Sequence, residues 1–144
     1  IDWQAVELDA GDAIPDLQGF DALWVMGGPM DVWDTDTCPW LVAEKEAICH
    51  WVRELNRPYL GLCLGHQLLA DALGGTCEVQ RNPEIGIMDV SLTDAAREDL
   101  LLQGVAPRIK CLQWHSVAVT TPPDDAVLLA SSPECTWQAM RVRC

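Results

Sequence analysis

Two short, unbroken apolar runs, each running into glycine, constrain this chain more than any other feature. Ala22-Leu23-Trp24-Val25-Met26 stops at Gly27-Gly28-Pro29, and Tyr59-Leu60-Gly61-Leu62 leads into Cys63 and Gly65. Apolar runs without alternation are what strands buried on both faces require. Between them, Pro39 to Asn56 has a helical period: Leu41, Ile48, Trp51, Val52 and Leu55 share one face, with Glu44, Lys45, Glu46, Arg53 and Glu54 opposite. Pro39 suits a first turn, and Asn56-Arg57-Pro58 ends the helix. Gly65 to Leu73 reads as a second helix, stopped by Gly74-Gly75. Strands alternating with helices imply a parallel sheet with helices on both faces.

The remainder is less regular. Trp3 to Leu8 alternates weakly, as a strand does; Gly86 to Leu92 reads as a strand and Thr93 to Leu102 as a short helix capped by Thr93. Arg108 to Leu112, Val127 to Ala130 and Trp137 to Val142 read as further strands, separated by turns such as Thr121-Pro122-Pro123-Asp124. The expected architecture is α/β: an open, mostly parallel, doubly wound sheet plus a small antiparallel C-terminal portion, in one domain over residues 1–144.

Composition excludes several functions. With 49% hydrophobic and 22% charged residues the chain has the balance of a globular core. A formal charge of −13 with only 9 Lys and Arg leaves no basic face for nucleic acid. No apolar run approaches the ~20 residues that span a bilayer, so no membrane partner is expected. The seven cysteines are odd in number, widely spaced and without a CxxC pair, which favours reduced thiols in a cytoplasm over a disulfide framework. Cys63 and His66 have zinc-ligand spacing but do not by themselves close a tetrahedral site, so no metal or other cofactor is expected. Neither GxGxxG nor GxxxxGK[ST] occurs, which weakens a nucleotide-binding reading.

Gly61-Leu62-Cys63-Leu64-Gly65-His66-Gln67 falls where a strand turns into a helix. Such a turn lifts a side chain out of the sheet, sets a thiol at the positive end of a helix and aims the next backbone N–H at an incoming carbonyl. Glycine two residues before and two after Cys63 is the spacing of a nucleophile elbow. Taken alone, these residues leave Cys63 open between a nucleophile and an inert buried thiol. Gly28 and Leu64 would supply two N–H donors to an oxyanion if the two loops meet at the carboxyl ends of adjacent strands; by itself Gly27-Gly28-Pro29 is a tight turn.

The segment Gly61 to Ala70, with Leu73-Gly74-Gly75 after it, resembles the nucleophile segment of the class I (triad-type) glutamine amidotransferases. Met26-Gly27-Gly28-Pro29-Met30 resembles their oxyanion loop. Pro83-Glu84-Ile85-Gly86, Gln113-Trp114-His115-Ser116 and Leu129-Ala130-Ser131-Ser132 follow in order as landmarks of the branch similar to the glutaminase domain of GMP synthase. The resemblance implies a flavodoxin-like fold and a cysteine glutaminase. Cys63 attacks the glutamine side-chain amide, Gly28 and Leu64 hold the oxyanion, Gln67 contacts substrate, and His115 and Ser116 lie beside the substrate pocket. Ammonia would pass to a synthetase domain or subunit. Val117 stands where many members carry Asp.

The resemblance also implies that the base is not the adjacent His66, for which a structural role is expected. His50, amid charged helix neighbours, carries no signal, and His115 is an internal candidate for the base. The family's base is the His of a later Gln-Phe-His-Pro-Glu motif, whose Glu orients the imidazole, expected a few residues beyond Gln138 to Arg143. That motif, and the family's first strand and helix, are expected outside residues 1–144, so the chain is expected to be part of a longer polypeptide whose intact mass exceeds 15.9 kDa. Two competing readings stand beside the glutaminase: a related Cys-His hydrolase of γ-glutamyl bonds, and a non-catalytic binding or regulatory module on the same scaffold.

Overall fold

The computed structural model describes residues 1–143; Cys144 lies outside the described residues. The chain forms two compact units, Ile1–Ala72 and Leu73–Arg143.

In the first unit, β1 (Leu23–Val25) and β2 (Tyr59–Gly61) pair in parallel, Leu23 opposite Tyr59 and Val25 opposite Gly61. These are the two apolar runs of the sequence. Alternate residues point to opposite faces, so Val25 is buried while the cross-strand partners Trp24 and Leu60 are exposed. Helix α1 (Trp40–Cys49) follows Pro39, and a π-helical turn, His50–Glu54, continues it up to Asn56, which is left-handed at φ 53°. Leu41, Ile48, Trp51 and Val52 are the buried positions the helical period assigned to the core. Each side chain of this size stabilises by about 1.5–3 kcal/mol on burial. Trp51 also keeps its polar end satisfied, donating Nε1–H to the Pro58 carbonyl at 2.9 Å.

Helix α2 (Leu64–Ala72) lies where the sequence put its second helix and is joined to α1 by the Lys45–Asp71 ion pair at 2.8 Å. Lys45 donates as well to the Val32 carbonyl at 3.1 Å, fixing the long loop between β1 and α1. The expected strand at Trp3 to Leu8 does not form. Trp3 is exposed, no strand pairs with this stretch among the described residues, and a 3₁₀ turn at Leu8–Ala10 ends at Gly11. Arg57, stacked on Trp51 at 5.6 Å, holds the following segment through the carbonyls of Leu17, Gln18 and Phe20.

The second unit is an antiparallel sheet in the order β4-β3-β5-β6: β3 (Thr76–Leu92), β4 (Arg108–Thr121), β5 (Val127–Ser131) and β6 (Ala139–Arg141). The fold is α/β with parallel and antiparallel strands in separate open sheets, and the antiparallel portion, expected to be small, holds four of the six strands among the described residues. Strand β3 starts ten residues before the expected Gly86, because a register shift between Val79 and Glu84 absorbs Asn82-Pro83, which reads as a turn. Helix α3 (Asp94–Arg97) is a single turn, not a helix to Leu102. Thr93 occupies its N-cap position, but its hydroxyl donates to the Leu128 carbonyl at 2.7 Å instead of capping. The residues beyond α3 are held by Asp99, which accepts from the Leu101 N–H at 3.0 Å and from Arg141 at 2.8 Å.

Candidate active site

Backbone geometry makes the first half of the site. Leu62 N–H extends the parallel pairing by donating to the Val25 carbonyl at 2.9 Å, and the chain reverses at Cys63, which has φ 55°. A residue with a Cβ is strained in this conformation. The carbonyl of Cys63 then accepts from the His66 and Gln67 N–H groups at 3.1 and 3.2 Å, opening α2. Both flanking glycines answer to close approach. A Cβ on Gly61 would lie 2.5 Å from the Gly65 carbonyl carbon and oxygen, and one on Gly65 would lie 2.3 Å from the Val25 oxygen. The turn leaves Cys63 exposed while Leu64 and Gly65 behind it are buried, so the inert buried thiol is not what this position holds.

The loop after β1 comes up against the same turn. The Cβ position of Gly27 is 3.2 Å from Cys63 Cβ and 3.8 Å from its Sγ, and that of Gly28 is 3.1 Å from a methyl of Leu64. Among the described residues, no backbone acceptor takes the N–H of Gly28 or of Leu64. Leu64 opens α2, where the first N–H groups of a helix have no partner within it. Gln67 lies one turn along, buried. His66 is half-buried on α2, and His50 pairs with Glu54 at 2.9 Å through side chains that both reach solvent.

The second unit holds a different assembly. Glu84, buried on β3, accepts from Ser132 Oγ at 2.6 Å and from Gln138 Nε2, and lies 3.2 Å from His115 Nε2. His115 Nδ1 is 3.1 Å from the Val117 carbonyl. Cys135, also buried, donates its backbone N–H to Ser132 Oγ at 3.1 Å; burial first, and the charge of Glu84 second, push its thiol up to about 11. Glu84, His115 and Cys135 offer donor atoms within 4.8 Å of one another. They fit a hydrogen-bonded network better than an ion, since the carboxylate already has three partners and the thiol is held protonated.

A model of the family described as glutamine amidotransferase class-I matches residues 1–143. The chain belongs to this amidotransferase family. It is 36% identical over 138 residues to a glutamine-hydrolyzing GMP synthase subunit of Sulfolobus acidocaldarius, covering 95% of this chain and 68% of that protein. It is 35% identical to the glutamine-hydrolyzing GMP synthase of Aeropyrum pernix, covering 96% of this chain and 24% of the relative. Among solved structures, a glutamine amido transferase from Methylobacillus flagellatus superposes with a TM-score of 0.87 at 30% identity, over 99% of this chain and 55% of the other. The chain thus spans only part of the amidotransferases it matches.

For this amidotransferase chain, the residues singled out in the sequence divide between the units. Gly28, Cys63, Leu64 and Gln67 belong to the first, where the first three meet at the elbow. His115 and Ser116 belong to the second; His115 enters the Glu84 network, and Ser116, the next residue along β4, is exposed on the other face. Sequence reasoning missed the network as such. Its signal was present in the landmarks Pro83-Glu84-Ile85-Gly86 and Leu129 to Ser132, but nothing in their spacing joins them to Gln138 or Cys135.

Proposed function

We propose that this chain is the glutaminase portion of a glutamine amidotransferase that releases ammonia for a synthetase partner, with Cys63 as nucleophile. Cys63 Sγ attacks the carbonyl carbon of the glutamine side-chain amide, forming a tetrahedral oxyanion that Gly28 and Leu64 N–H hold, each donor being worth on the order of 3 kcal/mol in the transition state. Collapse expels ammonia, the proton lost by the thiol going to the leaving nitrogen, and water hydrolyses the glutamyl thioester. Gln67 contacts the substrate. The proton carrier on the family pattern is the histidine of a His-Pro-Glu motif, which none of His50, His66 and His115 matches.

The observation that carries this reading is the left-handed backbone at an exposed cysteine, with the Gly27-Gly28 loop against it. Strain of that kind persists where the surroundings over-determine it, and it clusters at reactive sites. The Sulfolobus relative is one subunit of its synthase, which supports a separate partner, while the much longer Aeropyrum relative supports a fused one. In the full-length protein, Cys63→Ala is expected to abolish ammonia release from glutamine; release at the parent rate would refute the assignment.

A further inference from the structure

We infer that Tyr59 is a positioning residue for Cys63, holding the first turn of α2, and with it the Leu64 N–H, in the orientation that receives the oxyanion. The inference rests on the reading of Cys63 as a nucleophile. Tyr59 opens β2, four residues before Cys63, and its hydroxyl donates to the Gly65 carbonyl at 2.7 Å. That bond spans the elbow, joining the strand that enters the turn to the helix that leaves it. Its acceptor is the carbonyl one residue past Leu64.

The turn needs such restraint. Cys63 is in the left-handed region with a Cβ in place, a conformation that relaxes unless the surroundings hold it. Gly65 is pressed to the Val25 carbonyl on one side, leaving rotation of the first helical turn as the freedom the phenol removes. Burial, and then the charge of Glu44, raise the Tyr59 ionisation well above the ordinary phenol range, so the hydroxyl remains a donor at any working pH. An oxyanion donor acts through its direction, and misplacement by a fraction of an ångström costs rate without weakening substrate binding.

The test is Tyr59→Phe in the full-length protein with its synthetase partner present, which keeps the ring and deletes the hydrogen bond. The expected result is a kcat for ammonia release lowered about tenfold with KM within about twofold, the signature of an interaction made only in the transition state. Modification of Cys63 by a glutamine-like chloroketone should slow in proportion, while alkylation by iodoacetamide, which uses no oxyanion hole, should not. A kcat within about twofold of the parent, a loss residing wholly in KM, or failure of the variant to fold would overturn the positioning role and leave the nucleophile assignment standing. A folded parent that releases no ammonia from glutamine would overturn both.

Discussion

The turn at Cys63 and the cluster around Glu84 solve opposite problems. The first is made of backbone: glycines where an added Cβ would come within 2.5 Å of other main-chain atoms, one left-handed cysteine, and N–H groups of Gly28 and Leu64 that no backbone acceptor takes among the described residues. The second is made of side chains from β3, β4 and the segment around β6, with the carboxylate of Glu84 engaged by Ser132 and Gln138 and 3.2 Å from His115 Nε2. A buried group engaged by several side chains holds the fold, whereas donors left over are available to a ligand.

The largest effect expected is at Glu84. Replacing it with Ala leaves three polar partners without their buried acceptor and should cost about 3–5 kcal/mol in denaturant unfolding. Glu84→Gln, which keeps one acceptor oxygen, should recover part of that. A loss below about 1 kcal/mol for Glu84→Ala would break the contrast between the two regions.

At the elbow, Gly65→Ala drives a Cβ to 2.3 Å from the Val25 carbonyl, main chain that cannot swing aside. A stability loss of about 3 kcal/mol is expected, together with loss of ammonia release. Retained activity would show that α2 shifts freely against β1.

Cys135 sharpens the comparison through pH. Its folded-state thiol lies above the unfolded value of 9.0, at about 11, so the native state binds the proton more tightly and the resulting stability is complete below pH 9. That contribution declines as pH rises from 9 to 11. The stability difference between the parent and Cys135→Ala should therefore shrink over that window by up to about 2 kcal/mol, and a difference independent of pH would contradict the buried placement beside Glu84. The smallest effect concerns strain: Cys63→Gly should be more stable than Cys63→Ala by up to about 1 kcal/mol, because glycine accepts φ 55° without penalty.

The same contrast decides what was legible in the sequence. A backbone device leaves a local record, since close approach and reversal require Gly61, Gly65, Gly27 and Gly28 at fixed offsets, and the apolar runs beside them name their strands, although Val25 alone of the β1 and β2 residues is buried. The apolar face of α1 and the π-helical turn after it was equally local, and Leu41, Ile48, Trp51 and Val52 belong to the core. The Glu84 network has no such record. Its members are spread from Glu84 to Gln138, and only the antiparallel register setting Glu84 opposite His115 brings them together. Thr93 shows the same limit in miniature: its position as N-cap was readable, but its hydroxyl turned to a carbonyl on β5 that no local pattern announces. The long start of β3 was hidden because Asn82-Pro83 reads as a turn until a bulge accommodates it.

The central claim is that Cys63 forms the covalent bond to substrate. Incubating the full-length protein with a glutamine-like chloroketone and mapping the adduct by peptide mass spectrometry tests it most directly, because six other cysteines compete in the same chain. The account predicts one adduct, on the peptide carrying Cys63, suppressed by excess glutamine. An adduct on another cysteine, or labelling of Cys63 that glutamine does not suppress, would contradict it.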